Sequence, residues 1–163
     1  MLIRPAAPAD FNAIAAIIMP TIREGSTYSY DPEMSEHEAL ETWFSPDKHV
    51  FVAVDEEDGE IVGTYYIRPN QGGGGRHVCN CGYITRTDAT GRGIARKMCE
   101  HSIGYARAEG YRAMQFNFVI STNERAVKLW KSLGFEVAGR LPEAFRLPSG
   151  SYVDALVMYR KLV

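Results

Sequence analysis

Val78-Cys79-Asn80-Cys81-Gly82-Tyr83-Ile84-Thr85 runs through Arg86 to Ala89 into Thr90-Gly91-Arg92-Gly93-Ile94-Ala95. An apolar strand gives way to two glycines at the start of an amphipathic helix. Glycine lacks the β-carbon that would bump an approaching ligand. The free N–H groups of the helix's first turn then point outward with a favourable dipole, so the turn reads as an anion cradle. Plain punctuation between two elements is the alternative reading of the same glycines.

Working outward, β-branched and aromatic runs at Val50–Val54 and Ile61–Ile67 flank Asp58-Gly59, a strong hairpin signal, and predict antiparallel strands. Toward the N-terminus, Leu2 to Arg4 reads as a short strand. Pro8-Ala9-Asp10 opens a helix with Phe11, Ile14, Ile17 and Ile18 at helical spacing, expected to stop near Pro20. Ser35-Glu36-His37-Glu38 is a capping box that starts a second helix through Trp43. The four glycines from Gly72 to Gly75 join strand to strand, which predicts a flexible hairpin loop.

Downstream, the helix from Gly93 ends at Glu109 with Gly110 as its stop. Ala113 to Ile120 reads as a strand and Asn123 to Leu133 as a helix with Ala126, Leu129 and Leu133 on one face. Phe135 to Gly139 and Val153 to Tyr159 close the order as strands, with an excursion through Pro142 and Pro148 between them. The order β-α-α-β-β-β-α-β-α-β-β predicts one α/β (α+β) domain over 1–163. Its sheet is mixed and mostly antiparallel, flanked by helices, because strand-helix-strand units need parallel crossovers while hairpins pair antiparallel.

A chain of 163 residues with 45% hydrophobic content can bury a substantial core. Net charge is −2, with scattered basic residues, which argues against nucleic acid as a partner. Cys79, Cys81 and Cys99 form neither a disulfide framework nor a zinc set and read as small core residues; the four histidines are dispersed, and no metal is expected. With no leader-like or membrane-spanning run, a cytoplasmic protein without a membrane partner is expected.

Gly93 and Ala95, placed after what would be the fourth strand, resemble the Gln/Arg-x-x-Gly-x-Gly/Ala loop of the GNAT acetyltransferases, and the element order matches that family throughout. Thr90 stands where the family usually has Gln or Arg. The resemblance implies acetyl-CoA as cosubstrate, with its diphosphate on the main chain of Thr90, Gly91, Arg92, Gly93, Ile94 and Ala95. It further implies that Val78–Thr85 and Ala113–Ile120 are parallel and splay apart around the pantetheine, with backbone N–H groups of Tyr83, Ile84 and Thr85 polarising the thioester carbonyl. Ser121-Thr122-Asn123-Glu124-Arg125-Ala126 resembles the family's second motif, which sets Asn123, with Ala126 beyond it, against the pantetheine arm; an ordinary helix N-cap is the other reading of Asn123. Seven positions on, where many members carry a tyrosine acid, stands Trp130. Its indole N–H can donate a hydrogen bond but is no general acid near neutral pH, so packing on the cofactor arm is expected.

Asn80 and Asn117 lie mid-strand among apolar neighbours, where a carboxamide is costly unless paired. They could hold a substrate carboxylate or relay the amine proton through water; an amide paired across the strands is the alternative. Cys-Asn-x-Gly and Phe-Asn-x-Val, with Thr-Asn before the helix and Val-Asp-Ala near the end, look like the fungal proline-analogue acetyltransferases within GNAT. Glu24, Tyr28 and Tyr30 follow the first helix, where members shape the acceptor pocket. The resulting reading is direct acetyl transfer to the amine of a small molecule, an amino acid or analogue; oligomeric state is not readable from the sequence, and the resemblance implies only that a homodimer is possible, since relatives commonly dimerise. Protein N-terminal acetylation and non-catalytic acyl-CoA binding are the alternatives. A dinucleotide-binding oxidoreductase fits poorly, since the third glycine of its fingerprint is missing.

Overall fold

Strand alternation decides how the sheet is covered. On β2 (His49–Val54), Phe51 and Ala53 enter one apolar cluster while Val50 and Val52 enter another, so both faces of the sheet are buried. The computed structural model describes residues 1–163. Besides β2, its strands are β1 (Leu2–Pro5), β3 (Ile61–Pro69), β4 (Val78–Thr85), β5 (Ala113–Ile120), β6 (Glu136–Arg146) and β7 (Tyr152–Lys161). They form one sheet in the order β1-β2-β3-β4-β5-β7-β6. Only β4 and β5 are parallel neighbours; the other pairs are antiparallel.

Four helices cover the sheet: α1 (Phe11–Glu24), α2 (Glu36–Trp43), α3 (Ile94–Ala108) and α4 (Glu124–Ser132). Residues of α1 and α2 share a cluster with Val50, Val52, Tyr66 and Ile84. Within it Trp43 is fully buried, and its indole N–H donates to Thr64 Oγ1 at 3.2 Å. On the opposite face α3 buries Ile94, Met98, Cys99, Ile103 and Ala106 against Phe51, Tyr65, Cys79, Cys81 and Met114. All three cysteines are buried and free; burial pushes the Cys99 thiol up to about 12, as suits inert core residues.

Two boundaries differ from the sequence reading. The first helix does not stop at Pro20 but continues to Glu24, where Gly25 takes a left-handed φ of 69°. Pro20 faces solvent, as does Ala16, whose carbonyl loses its usual donor, and Ile22 extends the buried stripe of Ile14, Ile17 and Ile18. At the other end, Pro142 lies within β6 and not in an excursion between strands. The ladder is irregular between Leu141 and Phe145, and β6 is the sheet edge, where a missing N–H is tolerated. The capping box of α2 forms as expected: Glu38 N–H donates to Ser35 Oγ at 3.1 Å and Ser35 N–H to Glu38 Oε2 at 2.8 Å.

The expected splay is present. Pairing of β4 with β5 covers only Val78 opposite Ala113 and Cys79 opposite Met114; beyond them the strands part.

Candidate active site

The parting strands open a cavity of about 870 Å³ that runs from the turn before α3, between β4 and β5, to the segment after α1. Its polarity at the gap follows from strand geometry. Arg86 N–H donates to Val62 O and Asn70 N–H to Val78 O, and the β3–β4 register between them is unbroken. Even-numbered residues of β4 therefore bond to β3, whereas Cys81, Tyr83 and Thr85 turn N–H and C=O toward the departed β5. Ile84 goes the other way: its amide faces β3 and its side chain is buried in the cluster of α1 and α2. The main-chain role expected of Tyr83, Ile84 and Thr85 is thus geometrically open to Tyr83 and Thr85 alone.

At one end of the cavity, Gly91 and Gly93 have φ of 84° and 76°, a left-handed backbone that favours glycine. No amide from Thr90 to Gly93 donates to another backbone group, and those of Ile94 and Ala95 belong to the first turn of α3. These N–H groups form a cradle of the kind that binds phosphate. Thr90 Oγ1 donates to Thr87 O at 3.3 Å. Arg92, expected with the rest of the turn at the cofactor, is not among the residues lining the cavity, and its side chain pairs with Asp55. That ion pair ties the turn to the end of β2.

Where the strands separate, two carboxamides replace ladder bonds. Asn80 Nδ2 donates to the main-chain oxygen of Gln115 at 3.0 Å, and Asn117 Nδ2 donates to Asn70 Oδ1 at 2.7 Å while its own oxygen accepts from Gln115 Nε2 at 2.9 Å. Both also line the cavity, but Asn80 is 6% exposed and its donor is engaged across the gap. An irregularity of β5 between Phe116 and Val119, over which β7 advances one residue fewer, re-aims the strand at Asn117. On α4, Asn123 Oδ1 caps Ala126 N–H at 3.4 Å, which leaves its Nδ2 as the group that can serve a ligand. Ala126 lines the same wall, and Trp130, 9% exposed, packs its ring 5.2 Å from Tyr83 and 5.0 Å from Phe116.

The other end is an aromatic chamber with two cations. Tyr66 lies directly opposite Gly82, its ring filling the space a side chain there would occupy. Trp43 meets Tyr66 edge-on at 4.9 Å, and Lys48 Nζ sits 4.1 Å above the ring of Tyr66 while donating to Thr42 O at 2.6 Å. Burial, helped by nearby Arg68, pulls the Lys48 ammonium down to about 8. Arg68 Nε reaches Asn80 Oδ1 at 3.4 Å, and its Nη1 is 3.5 Å from Asp47. Tyr28 and Tyr30 join this wall with rings 5.5 Å apart; Tyr28 Oη donates to Tyr83 O at 3.0 Å, and burial raises both phenols. Glu24 stands at the rim, accepting from Ser26 Oγ at 2.7 Å, and is the sole carboxylate on the cavity wall.

Lys48, Arg68 and Arg125 also line this cavity, although sequence reasoning did not single them out. For Lys48 and Arg68 the signal was alternation: a lysine just before one predicted strand and an arginine at the end of the next fall on the face that carries Asn80.

One continuous cavity thus joins a turn of free main-chain amides, a cleft between splayed parallel strands and an aromatic chamber with two cations. A sequence model of the Acetyltransferase (GNAT) family matches residues 14–135, and the chain belongs to that family and with it to the acyltransferases. The N-acetyltransferase aca1 of Schizosaccharomyces pombe is 30% identical over 151 residues, 83% of this chain and 72% of that one. The structure of a GCN5-related N-acetyltransferase from Kribbella flavida superposes with a TM-score of 0.92 at 42% identity, covering 98% of this chain and 96% of that one. The structure of yncA from Salmonella typhimurium with its cofactor acetyl-CoA gives 0.86 at 25% identity, over 100% and 94% of the two chains. No helix is long and apolar enough to cross a membrane.

Proposed function

We propose that this chain transfers the acetyl group of acetyl-CoA directly to the amine of a small acceptor that also carries an anionic group, an amino acid or an analogue of one. The observation that carries this reading is the position of Lys48 and Arg68 at the far end of a cavity whose near end is the glycine cradle. Acetyl-CoA supplies an activated acyl thioester. Main-chain N–H groups of Gly91 to Ala95 fit its diphosphate, and Asn123 Nδ2 with the Ala126 and Trp130 wall fits the pantetheine arm. In the gap, Tyr83 and Thr85 N–H groups are fixed donors that a developing oxyanion can use without reorganisation.

Arg68, oriented by Asn80 and assisted by Lys48, holds the anionic group of the acceptor; Asn117, braced by Asn70 and Gln115, lines its path. The amine must lose a proton to act as nucleophile. Glu24, at the rim with Ser26, receives it through water. Tyr28 and Tyr30 enclose the acceptor, and Tyr28 fastens this segment to β4 through Tyr83 O. Trp130 packs and donates no proton, so the thiol's proton comes from solvent.

Thiol release from acetyl-CoA across a panel of amino acids, their decarboxylated amines and short peptides tests the reading. Turnover with amino acids that falls when the carboxylate is removed supports it. Equal turnover of decarboxylated amines refutes the anionic-acceptor part, preference for peptide N-termini moves the substrate to proteins, and release with no amine of the panel argues for acyl-CoA binding without transfer.

A further inference from the structure

Arg125, on the first turn of α4, is the one arginine of the cavity wall without an intramolecular partner, since Arg68 is beside Asp47 and Arg96 donates to Ser132 Oγ. Arg125 Nη2 lies over the glycine turn, 3.6 Å from where a side chain at Gly91 would begin. A cation in the first turn of a helix opposes the helix dipole, so the position is unfavourable for the stability of α4 itself. Across the gap Thr90, the first residue of the turn, has only a short hydroxyl side chain engaged with Thr87 O. The turn thus presents main-chain N–H groups but no long cationic side chain of its own toward the cavity, because Arg92 is paired with Asp55.

We infer that Arg125 closes over the diphosphate of coenzyme A from the α4 side, supplying the long side chain that the turn lacks at Thr90. The inference rests on the proposed assignment of this turn to the diphosphate. A guanidinium presents two parallel N–H donors in a fixed fork that matches two phosphate oxygens, whereas the turn amides approach the same group from below. Because Arg125 is exposed, its contribution is modest and salt-sensitive.

Calorimetric titration of coenzyme A and of dephospho-coenzyme A, which keeps the diphosphate but lacks the 3′-phosphate, tests this with wild type, Arg125→Met, and Arg125→Met combined with Thr90→Arg. Arg125→Met is expected to weaken both ligands by the same factor, about tenfold at low ionic strength. Its melting temperature is expected to stay level or rise as the unfavourable charge leaves α4. Thr90→Arg, which returns a long cation from the other side, is expected to recover most of the loss. An affinity within twofold of wild type overturns the inference, as does a penalty that vanishes with dephospho-coenzyme A, because the guanidinium then serves the 3′-phosphate. Failure of wild type to bind either ligand removes the reading of the turn itself, a result distinct from failure of Arg125 alone.

Discussion

Replacing Gly82 by alanine probes the proposed acceptor chamber without removing a polar group. The added Cβ falls 2.6 Å from Tyr66 Cε1 and 2.8 Å from its Cζ and Oη. Ordinary contact begins near 3.4 Å, so the ring must withdraw by about 0.8 Å. Trp43 abuts it edge-on at 4.9 Å and Lys48 Nζ lies 4.1 Å above its face, so the ring can yield only toward the cavity it lines. Overpacking of this kind costs about 1–3 kcal/mol, which for a chain of this length lowers the melting temperature by about 3–10 °C. Because the ring carries Lys48 and neighbours Arg68, the KM for the acceptor should rise while that for acetyl-CoA stays near wild type. Differential scanning calorimetry and steady-state kinetics with each substrate varied read both effects. Tyr66→Leu in the same chain removes the clash, so the double variant should be less destabilised than the two single changes predict. A Gly82→Ala protein that melts within about 1 °C of wild type and keeps its acceptor KM would refute the placement of the ring over Gly82 and the coupling of this pair to acceptor binding.

Lys48 provides a pH signature. Its folded-state value of about 8 lies below that of an ordinary lysine near 10.4, so the charge is present below pH 8 and lost as pH rises through it. The KM for an anionic acceptor should climb above pH 8, and Lys48→Met should flatten that rise with KM already high. The same depressed value means that the folded chain holds fewer protons between about pH 8 and 10.4, so stability gains across that window in wild type, and chemical denaturation of Lys48→Met should show the gain missing. Asn80→Ala leaves the Gln115 carbonyl without its donor and should cost about 1–3 kcal/mol, seen as a lower melting point together with a raised acceptor KM as Arg68 loses its guide; unchanged melting contradicts the brace. Trp130→Phe should bind coenzyme A and turn over within a few-fold of wild type, because the indole packs against Tyr83 and Phe116. Abolished turnover with intact binding, measured by calorimetry beside thiol release, excludes a packing role.

Much of the fold was legible because its signals are local. The β-branched runs, the Asp58-Gly59 turn, the Ser35–Glu38 capping box and the glycines at 91 and 93 each act over a few residues, and each forms as read. What failed locally was overruled by context: Pro20 and Pro142 break helices and strands only when their missing N–H is needed, and here one faces solvent and the other lies on the sheet edge. The site was legible as a list of residues but not as an arrangement.

By itself the sequence determined the order of elements, a mixed sheet flanked by helices and a glycine turn before α3, since periodicity and glycine chemistry need no distant partner. Only the tertiary structure decided which amides of β4 face the gap, because that parity follows from pairing with β3. It also decided that Asn80 bridges to Gln115, that Lys48 and Arg68 meet around Tyr66, and that Arg125 crosses from α4 to Gly91. Those contacts join residues far apart along the chain, and their geometry is fixed by strand register and helix packing, which no local stretch of sequence encodes.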